Sequence, residues 1–345
     1  MSHKNKIIGG EPEISSDLSE KVNWGKYIIP GSFFSSGRSA LYAILNDIKK
    51  RGVTDIWLPD YLCKSIIGVI NKSGLKYHFY DLDGELKPVF KGSNFNSVDQ
   101  SVLVINYFGC QNLRPTFEEL KLKNPNLIII GDYVQAFYEY MNAETDVADY
   151  SFTSVRKWFP VPDGGFAFSK GGLFQEPEKQ NEFWQFKYAG LILKGLRDKS
   201  EIKDEVYLEL LKKGEEEIDN YLETRGSNKA LSILSNLPFD KIAKIRRKNA
   251  EIILQGLKDL NIAPILTPAK NSIPFFIPIR IRNREKVRKK LFENNIFCPV
   301  HWPIENLKLK TGEILEREEL SIVIDQRYNT DDMMRILEII STNIG

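Results

Sequence analysis

From residue 53 to residue 170 the chain alternates short apolar runs with stretches of helical period, and that alternation limits the folds open to it. "TDIWLP", "KYHFYDLD", "SVLVINYFG", "NLIIIGDY", "DYSFTSV" and "GGFAFSK" read as strands. "SVLVINYFG" is apolar almost throughout, as a strand covered on both faces is. Helical patterns occupy 35–52, with Leu41, Ile44, Leu45 and Ile48 on one face and Gly52 at its end, then 60–74, closed by Gly74, and 116–125. Strands alternating with helices predict an α/β fold, a mostly parallel sheet sandwiched by helices.

After about residue 175 the pattern changes. Residues 181–196, 205–223 and 240–260 read as long amphipathic helices. The tail combines a β pattern ("SIPFFIPIRI"), a helix ("REKVRKKLFENN"), the segment "IFCPVHWPI" and a closing helix ("DDMMRILEIIST"), a compact α+β unit. A chain of 345 residues exceeds the usual single core. We expect a large domain over 30–240 and a small domain over 241–345, which takes in the polar arm 1–29.

Forty-eight basic residues against 46 acidic ones leave a net charge of +2, so global charge gives no case for nucleic acid or an anionic membrane. No apolar run approaches the roughly 20 residues that span a bilayer. The N-terminus lacks the pattern of a signal peptide, and Cys63, Cys110 and Cys298 are odd in number and far apart. The expectation is a cytoplasmic protein with reduced thiols. The cysteines lack metal spacing and no two histidines are close, so no metal site is expected. The charge-dense runs "KKGEEEIDN" and "RIRNREKVRKK" read as solvated helix faces.

Three places carry chemistry. Lys157 sits at a seam between two apolar strands, followed by Pro160, Pro162, Asp163 and two glycines. An amine held in a stiff apolar loop loses solvation of its charged form and becomes nucleophilic toward carbonyls; an ordinary solvated lysine in a turn is the alternative. Asp132 ends the apolar run "LIIIG", where open α/β sheets bind ligands, and could hold a cationic ring nitrogen or simply cap a helix. "SSGRSAL", 35–41, opens a helix with hydroxyls and a glycine, so free N–H groups and the helix dipole favour a phosphate; capping by Ser36 is the plainer reading. It is neither a GxxxxGK[ST] nor a GxGxxG loop. Taken in order, phosphate anchor, ring partner and seam amine follow the logic of pyridoxal 5′-phosphate (PLP).

Through "SGRSALYAIL", "LPDYLCKSII", "VINYFGCQ", "IIGDYVQAF", "SVRKWFPVPDGGF", "FCPVHWPI" and "IDQRY" the chain resembles the fold-type I PLP enzymes, and more closely the DegT/DnrJ/EryC1/StrS family of aminotransferases. The resemblance runs from about 35 to 328. It implies a mostly parallel seven-stranded sheet, a homodimer with active sites at the subunit interface, an amino donor such as glutamate and a nucleotide-linked keto-sugar as acceptor. Lys157 would be the Schiff-base amine and Asp132 the partner of the pyridine nitrogen. Gln135 would lie near the ring's phenolic oxygen, and Ser36, Gly37, Arg38 and Ser39 would meet the phosphate. Ser154 or Ser151 would add a hydroxyl there, since Ser151-Phe152 departs by one residue from the family's usual spacing to the lysine. The ring would rest on Tyr61 or Tyr107. The family's Asn-x-Arg loop has no clear match, with Lys187 the nearest guess.

His301 and Trp302, in "CPVHWP", suit substrate contact, or the Trp plugs the domain junction. His78 reads as structural. Arg327 could bind a substrate carboxylate or brace a strand end. Three functions compete: an aminotransferase; another PLP enzyme such as a lyase, decarboxylase or desulfurase, the last needing a mobile Cys (Cys110 or Cys298); and a non-catalytic binding protein of this fold.

Overall fold

The computed structural model describes residues 6–14, 28–90, 100–197, 202–303 and 309–344. Strands β1 (Ile8–Gly9) and β2 (Ser32–Phe34) precede helix α1 (Gly37–Lys50). Then come β3 (Asp55–Pro59), α2 (Lys64–Ser73), β4 (Lys76–Leu82), β5 (Pro88–Val89), β6 (Gln100–Ile105), α3 (Arg114–Lys123), β7 (Ile128–Asp132), α4 (Phe137–Tyr140), β8 (Tyr150–Ser154) and β9 (Gly165–Ser169). Helices α5 (Trp184–Leu196), α6 (Asp204–Glu217), α7 (Asn228–Leu234) and α8 (Phe239–Asp259) follow. The chain closes with β10 (Phe276–Arg280), α9 (Arg284–Glu293), β11 (Ile296–Phe297), α10 (Lys310–Glu318), β12 (Glu319–Val323) and α11 (Thr330–Asn343).

The main sheet has the order β2-β9-β8-β7-β6-β3-β4-β5. Strands β4, β3, β6, β7 and β8 run parallel, while β9 is antiparallel to β8, β2 to β9 and β5 to β4. The architecture is the expected α/β sandwich, with eight strands rather than seven. The added strand is β5, two residues at the sheet's edge, too short to show a period and opening on a proline that an edge tolerates.

Alternation along β6 explains its continuous apolar run. Leu103 and Ile105 pack with α1 and α2 through Leu41, Ile44, Ile48, Ile67 and Ile70. Val102 and Val104 face the opposite layer, with Phe117, Phe137, Trp158, Phe159 and Phe239. Each such side chain, fully buried, contributes roughly 1.5–3 kcal/mol. α1 starts where Ser36 Oγ accepts from Ser39 N, and α2 stops at Gly74, whose φ of 77° closes the helix. The helix expected over 60–74 begins only at Lys64, because buried Asp60 instead accepts the amide of Thr311 at 3.0 Å.

A third core surrounds the antiparallel pair β10–β12. Ile253 and Leu257 of α8, Val287 and Leu291 of α9, and Met333, Ile336 and Ile340 of α11 enclose it. Ile8 joins this core, since β1 pairs with β11 in parallel. The short helices α7 and α10 lack a long apolar period and were not anticipated. Residues 15–27 of the arm lie outside the described residues.

Candidate active site

Parallel β7 and β8 end at the same edge of the sheet, on Asp132 and Ser154. The chain leaves β8 through a tight turn, Val155–Lys157, that is bonded on every side. Val155 N donates to Gly164 O, Trp158 Nε1 to Val134 O and Gln326 Nε2 to Trp158 O. Asp163, fully buried in the following turn, accepts from Asn181 Nδ2, Ser227 N and Ser227 Oγ. The segment holding Lys157 is thus tied to four other parts of the chain.

Lys157 borders two chambers. The inner one, about 130 Å³, is lined by Ser36, Gly37, Arg38, Cys63, Asp132, Gln135, Ser154, Arg156, His301 and Trp302 among others. The outer one, about 490 Å³, shares Arg156, Lys157, Phe275 and His301 with it and adds Gly10, Glu11, Glu215, Arg246, Arg288 and Asp325. A separate hollow between α1 and residues 169–178 holds none of the expected site residues.

At the inner end, the N-terminus of the 14-residue α1 approaches β8 and β9 without side chains in the way. A Cβ on Gly37 would stand 3.0 Å from Ser154 Cβ, and one on Gly165 would stand 2.4 Å from Ser36 C and O. Free N–H groups there favour an anion. Gly165→Ala should therefore displace Ser36 and Gly37, costing about 1–3 kcal/mol and weakening anion binding. Chemical denaturation and a cofactor titration of the variant check both.

Strand alternation separates the two serines. Phe152 and Ser154 line the chamber, whereas Ser151 turns to the other face, its buried Oγ without a partner among the described residues and near Gly131.

Asp132 is 3% exposed. Its Oδ1 accepts Val134 N at 2.9 Å, and the carboxylate makes no other hydrogen bond to a described residue. Burial pushes the carboxyl up to about 7, with the Val134 amide opposing. Gln135 Oε1 accepts Phe108 N at 2.9 Å. A cation placed beside Asp132 would restore its ionised form.

Lys157 makes no hydrogen bond or ion pair to a described residue. It is exposed to the cleft, although protein packs closely around its amine. Burial lowers its pKa, the Arg156 guanidinium lowers it further, and Glu215 opposes both. The cation beside it and the crowding act together to lower it, while cleft water screens part of the effect.

Glu215 was missed from sequence. It belongs to "KKGEEEIDN", expected as a solvated face, and the structure corrects that for this residue. Its carboxylate takes a two-pronged bond from Arg156 (2.7 and 3.0 Å), a bond from Arg38 (3.1 Å) and an ion pair with Lys187 (3.3 Å). Burial alone would raise its pKa, but Arg156, Lys157, Lys187 and Arg38 hold it well below the usual carboxylate range. Gly214 allows the approach: a Cβ there would meet Lys187 Cγ at 2.6 Å. Lys187, 1% exposed, also binds Glu11 and so faces inward within its own chain.

The structure does not bring every expected residue to the cavity wall. Ser39 is buried behind Ser36, its Oγ donating to Tyr221 O. Tyr61 and Tyr107 form a buried stacked pair at 5.5 Å. Tyr107 donates to Tyr61 O and Tyr61 to His301 O, so the pair supports the His301–Trp302 segment. Trp302 packs on Tyr61 at 5.0 Å and also lines the inner chamber, so contact and plug are compatible. Arg327 is engaged by Asp325 and Glu13, both at 2.7 Å, and lines neither chamber itself, although Asp325 borders the outer one. His78 pairs with Asp55 at 2.6 Å, away from the cleft. Cys110 and Cys298 are buried, and burial pushes both thiols up, Cys298 to about 12.

No family model matches the chain, and no curated protein matches it. Solved structures do. A DegT DnrJ EryC1 StrS aminotransferase from Brucella abortus superposes with a TM-score of 0.59 at 17% identity, over 91% of this chain and 85% of that one. The sugar aminotransferase CalS13 from Micromonospora echinospora gives 0.63 at 13%, over 97% and 100%. Helicobacter pylori PseC, an aminotransferase involved in the biosynthesis of pseudoaminic acid, gives 0.63 at 14%, over 98% and 99%. At these identities the likeness is one of fold, and the chain has the α/β fold that these aminotransferases share.

Proposed function

We propose that the chain is a PLP-dependent aminotransferase that passes an amino group from an amino acid, with glutamate as first choice, to the keto group of a nucleotide-linked sugar. The observation that carries the reading is the convergence of three features in one chamber: the open N-terminus of α1, the buried Asp132 and Lys157, whose side chain has no partner among the described residues. The fold shared with sugar aminotransferases supports the substrate class.

The residues fit the cofactor. Gly37 leaves the gap beside Ser154 that a Cβ would fill, and Asp132 is a buried carboxyl with room for a cationic partner. Ser36, Gly37, Arg38 and Ser154 would hold the phosphate, with Ser39 supporting Ser36 from behind. Asp132 would hold the pyridine nitrogen protonated, and Gln135 would lie at the ring's oxygen. When bound, PLP supplies an electron sink. Lys157 would bond the cofactor and afterwards carry a proton at Nζ as general base and acid. His301 and Trp302 would contact substrate. Tyr61 and Tyr107 would act as supports of that loop. Arg327 is kept as a carboxylate ligand only if substrate displaces Asp325 or Glu13. The reading includes a homodimer, a cytoplasmic location and the division into a large domain, 30–240, and a small domain, 241–345 with the arm 1–29.

The buried thiols of Cys110 and Cys298 weigh against a desulfurase. The test is an absorbance spectrum of the purified protein with PLP, before and after glutamate. A visible cofactor band that glutamate bleaches supports the proposal. A protein that stays colourless with added PLP overturns it, and colour indifferent to glutamate shifts the reading to another donor or another PLP chemistry.

A further inference from the structure

His301 stands on the wall shared by the two chambers. Its Nδ1 lies 2.8 Å from Ser321 Oγ, and Ser321 Oγ lies 2.5 Å from Glu319 Oε1. Glu319 Oε2 accepts the backbone N–H of His301 at 2.7 Å. Glu319 and Ser321 are both 0% exposed and lie two apart on β12, so they share one face. The other ring nitrogen, Nε2, bonds no described residue.

A hydroxyl has one hydrogen, which makes this chain directional. With Glu319 ionised, Ser321 must donate to it. Ser321 can then only accept from His301, so the proton sits on Nδ1 and Nε2 presents a lone pair. With Glu319 protonated, the carboxyl donates to Ser321, the hydroxyl turns to donate to Nδ1, and the proton sits on Nε2. We propose that Glu319 and Ser321 set the tautomer of His301 and form a buried relay that takes a proton from a ligand in the cleft. The transfer balances: Nε2 gains a proton from the ligand, Nδ1 passes its own to Ser321, and Ser321 passes its own to Glu319. The imidazole is neutral before and after.

The environment favours holding the proton on the carboxyl rather than on the ring. Burial, with Lys157 across the cleft, lowers His301 to about 3. Burial raises Glu319 to about 8, against the His301 amide, the Ser321 hydroxyl and Arg284 of α9. Among the described residues, the other titratable groups facing Glu319 are the Tyr61 hydroxyl and the Cys298 thiol, both held neutral by burial. Arg280, opposite Glu319 on β10, pairs with Glu318 instead. Glu319 and Ser321 are positioning residues for His301.

The relay rests on the aminotransferase reading only for the identity of the ligand, so its test omits the cofactor. The whole protein is labelled with ¹⁵N-histidine, and the two ring-nitrogen shifts report the tautomer. Only His3, His78 and His301 contribute, and His301→Gln assigns the signal. Raising the pH through about 8 should move the wild-type proton from Nε2 to Nδ1. Glu319→Gln, whose carbonyl oxygen would accept the His301 backbone N–H and leave the NH2 to donate to Ser321, should hold the Nε2–H form at every pH. Ser321→Ala should abolish the pH dependence. A wild-type tautomer indifferent to pH overturns the relay whatever the variants do, even if transamination is intact. A pH-linked tautomer in a protein that never binds PLP supports the relay and overturns the function alone.

Discussion

Lys157→Ala should lower the rate of amino transfer from glutamate by about 10⁴-fold, the upper end of what positioned general acid–base groups supply, and abolish the visible cofactor band. The size follows from the loss of two roles at once, covalent attachment and proton movement. The same substitution should leave the fold intact or slightly firmer. Crowding and Arg156 disfavour Lys157 as a cation, an effect that cleft water screens in part, so the folded state binds its proton less readily than the unfolded chain does. That penalty is present below the amine's folded pKa and fades as pH rises to the unfolded value. Single-turnover kinetics and a thermal melt at neutral pH check the pair of outcomes. An active variant would overturn the assignment, and a variant that melts much lower would make Lys157 a structural residue.

Glu215→Ala should cost about 2–3 kcal/mol of stability at neutral pH, at or just below the roughly 3–5 kcal/mol for breaking a fully buried ion pair. The reduced value applies because the Glu215 side chain is 37% exposed and water screens one side. Arg156 is 8% exposed and would lose its only carboxylate partner among the described residues. Glu215 is held below the usual carboxylate range, so its contribution is full above the unfolded pKa of about 4.3. It is lost as pH falls through the folded pKa. The gap in denaturant midpoint between wild type and variant should therefore be widest near neutral pH and close in acid. A constant gap across that interval would show that the carboxylate's charge is not what matters.

How far the site could be read in the sequence depended on the range of the interactions involved. Lys157, Asp132 and the Ser36–Arg38 helix start are each marked by local punctuation: a stiff turn, a strand exit, a cap. Glu215 carries no such mark. Its helix has solvated neighbours, and only the packing of α6 on α5 through Gly214 turns this one carboxylate toward Arg156. Tyr61 and Tyr107 looked like ring-stacking candidates because aromatic residues at strand ends serve either purpose. Their burial as a mutual stack is a property of the packed loop ends. Arg327 had equal prospects as ligand or brace, and its partners Glu13 and Asp325 came partly from the far end of the chain.

By itself the sequence determined the alternation of buried strands and amphipathic helices, hence the layered sheet, and the order in which an anchor, a carboxylate and an amine reach its edge. Those features follow from periods of two and 3.6 residues and from cap chemistry, which act over a few neighbours. Tertiary structure alone decided which serine faces the cleft, which charges neutralise one another, and that β12 delivers Glu319 and Ser321 behind His301. Pairing and burial across 20 to more than 100 residues set those outcomes, because the cost of an unpaired buried charge depends on every element that encloses it.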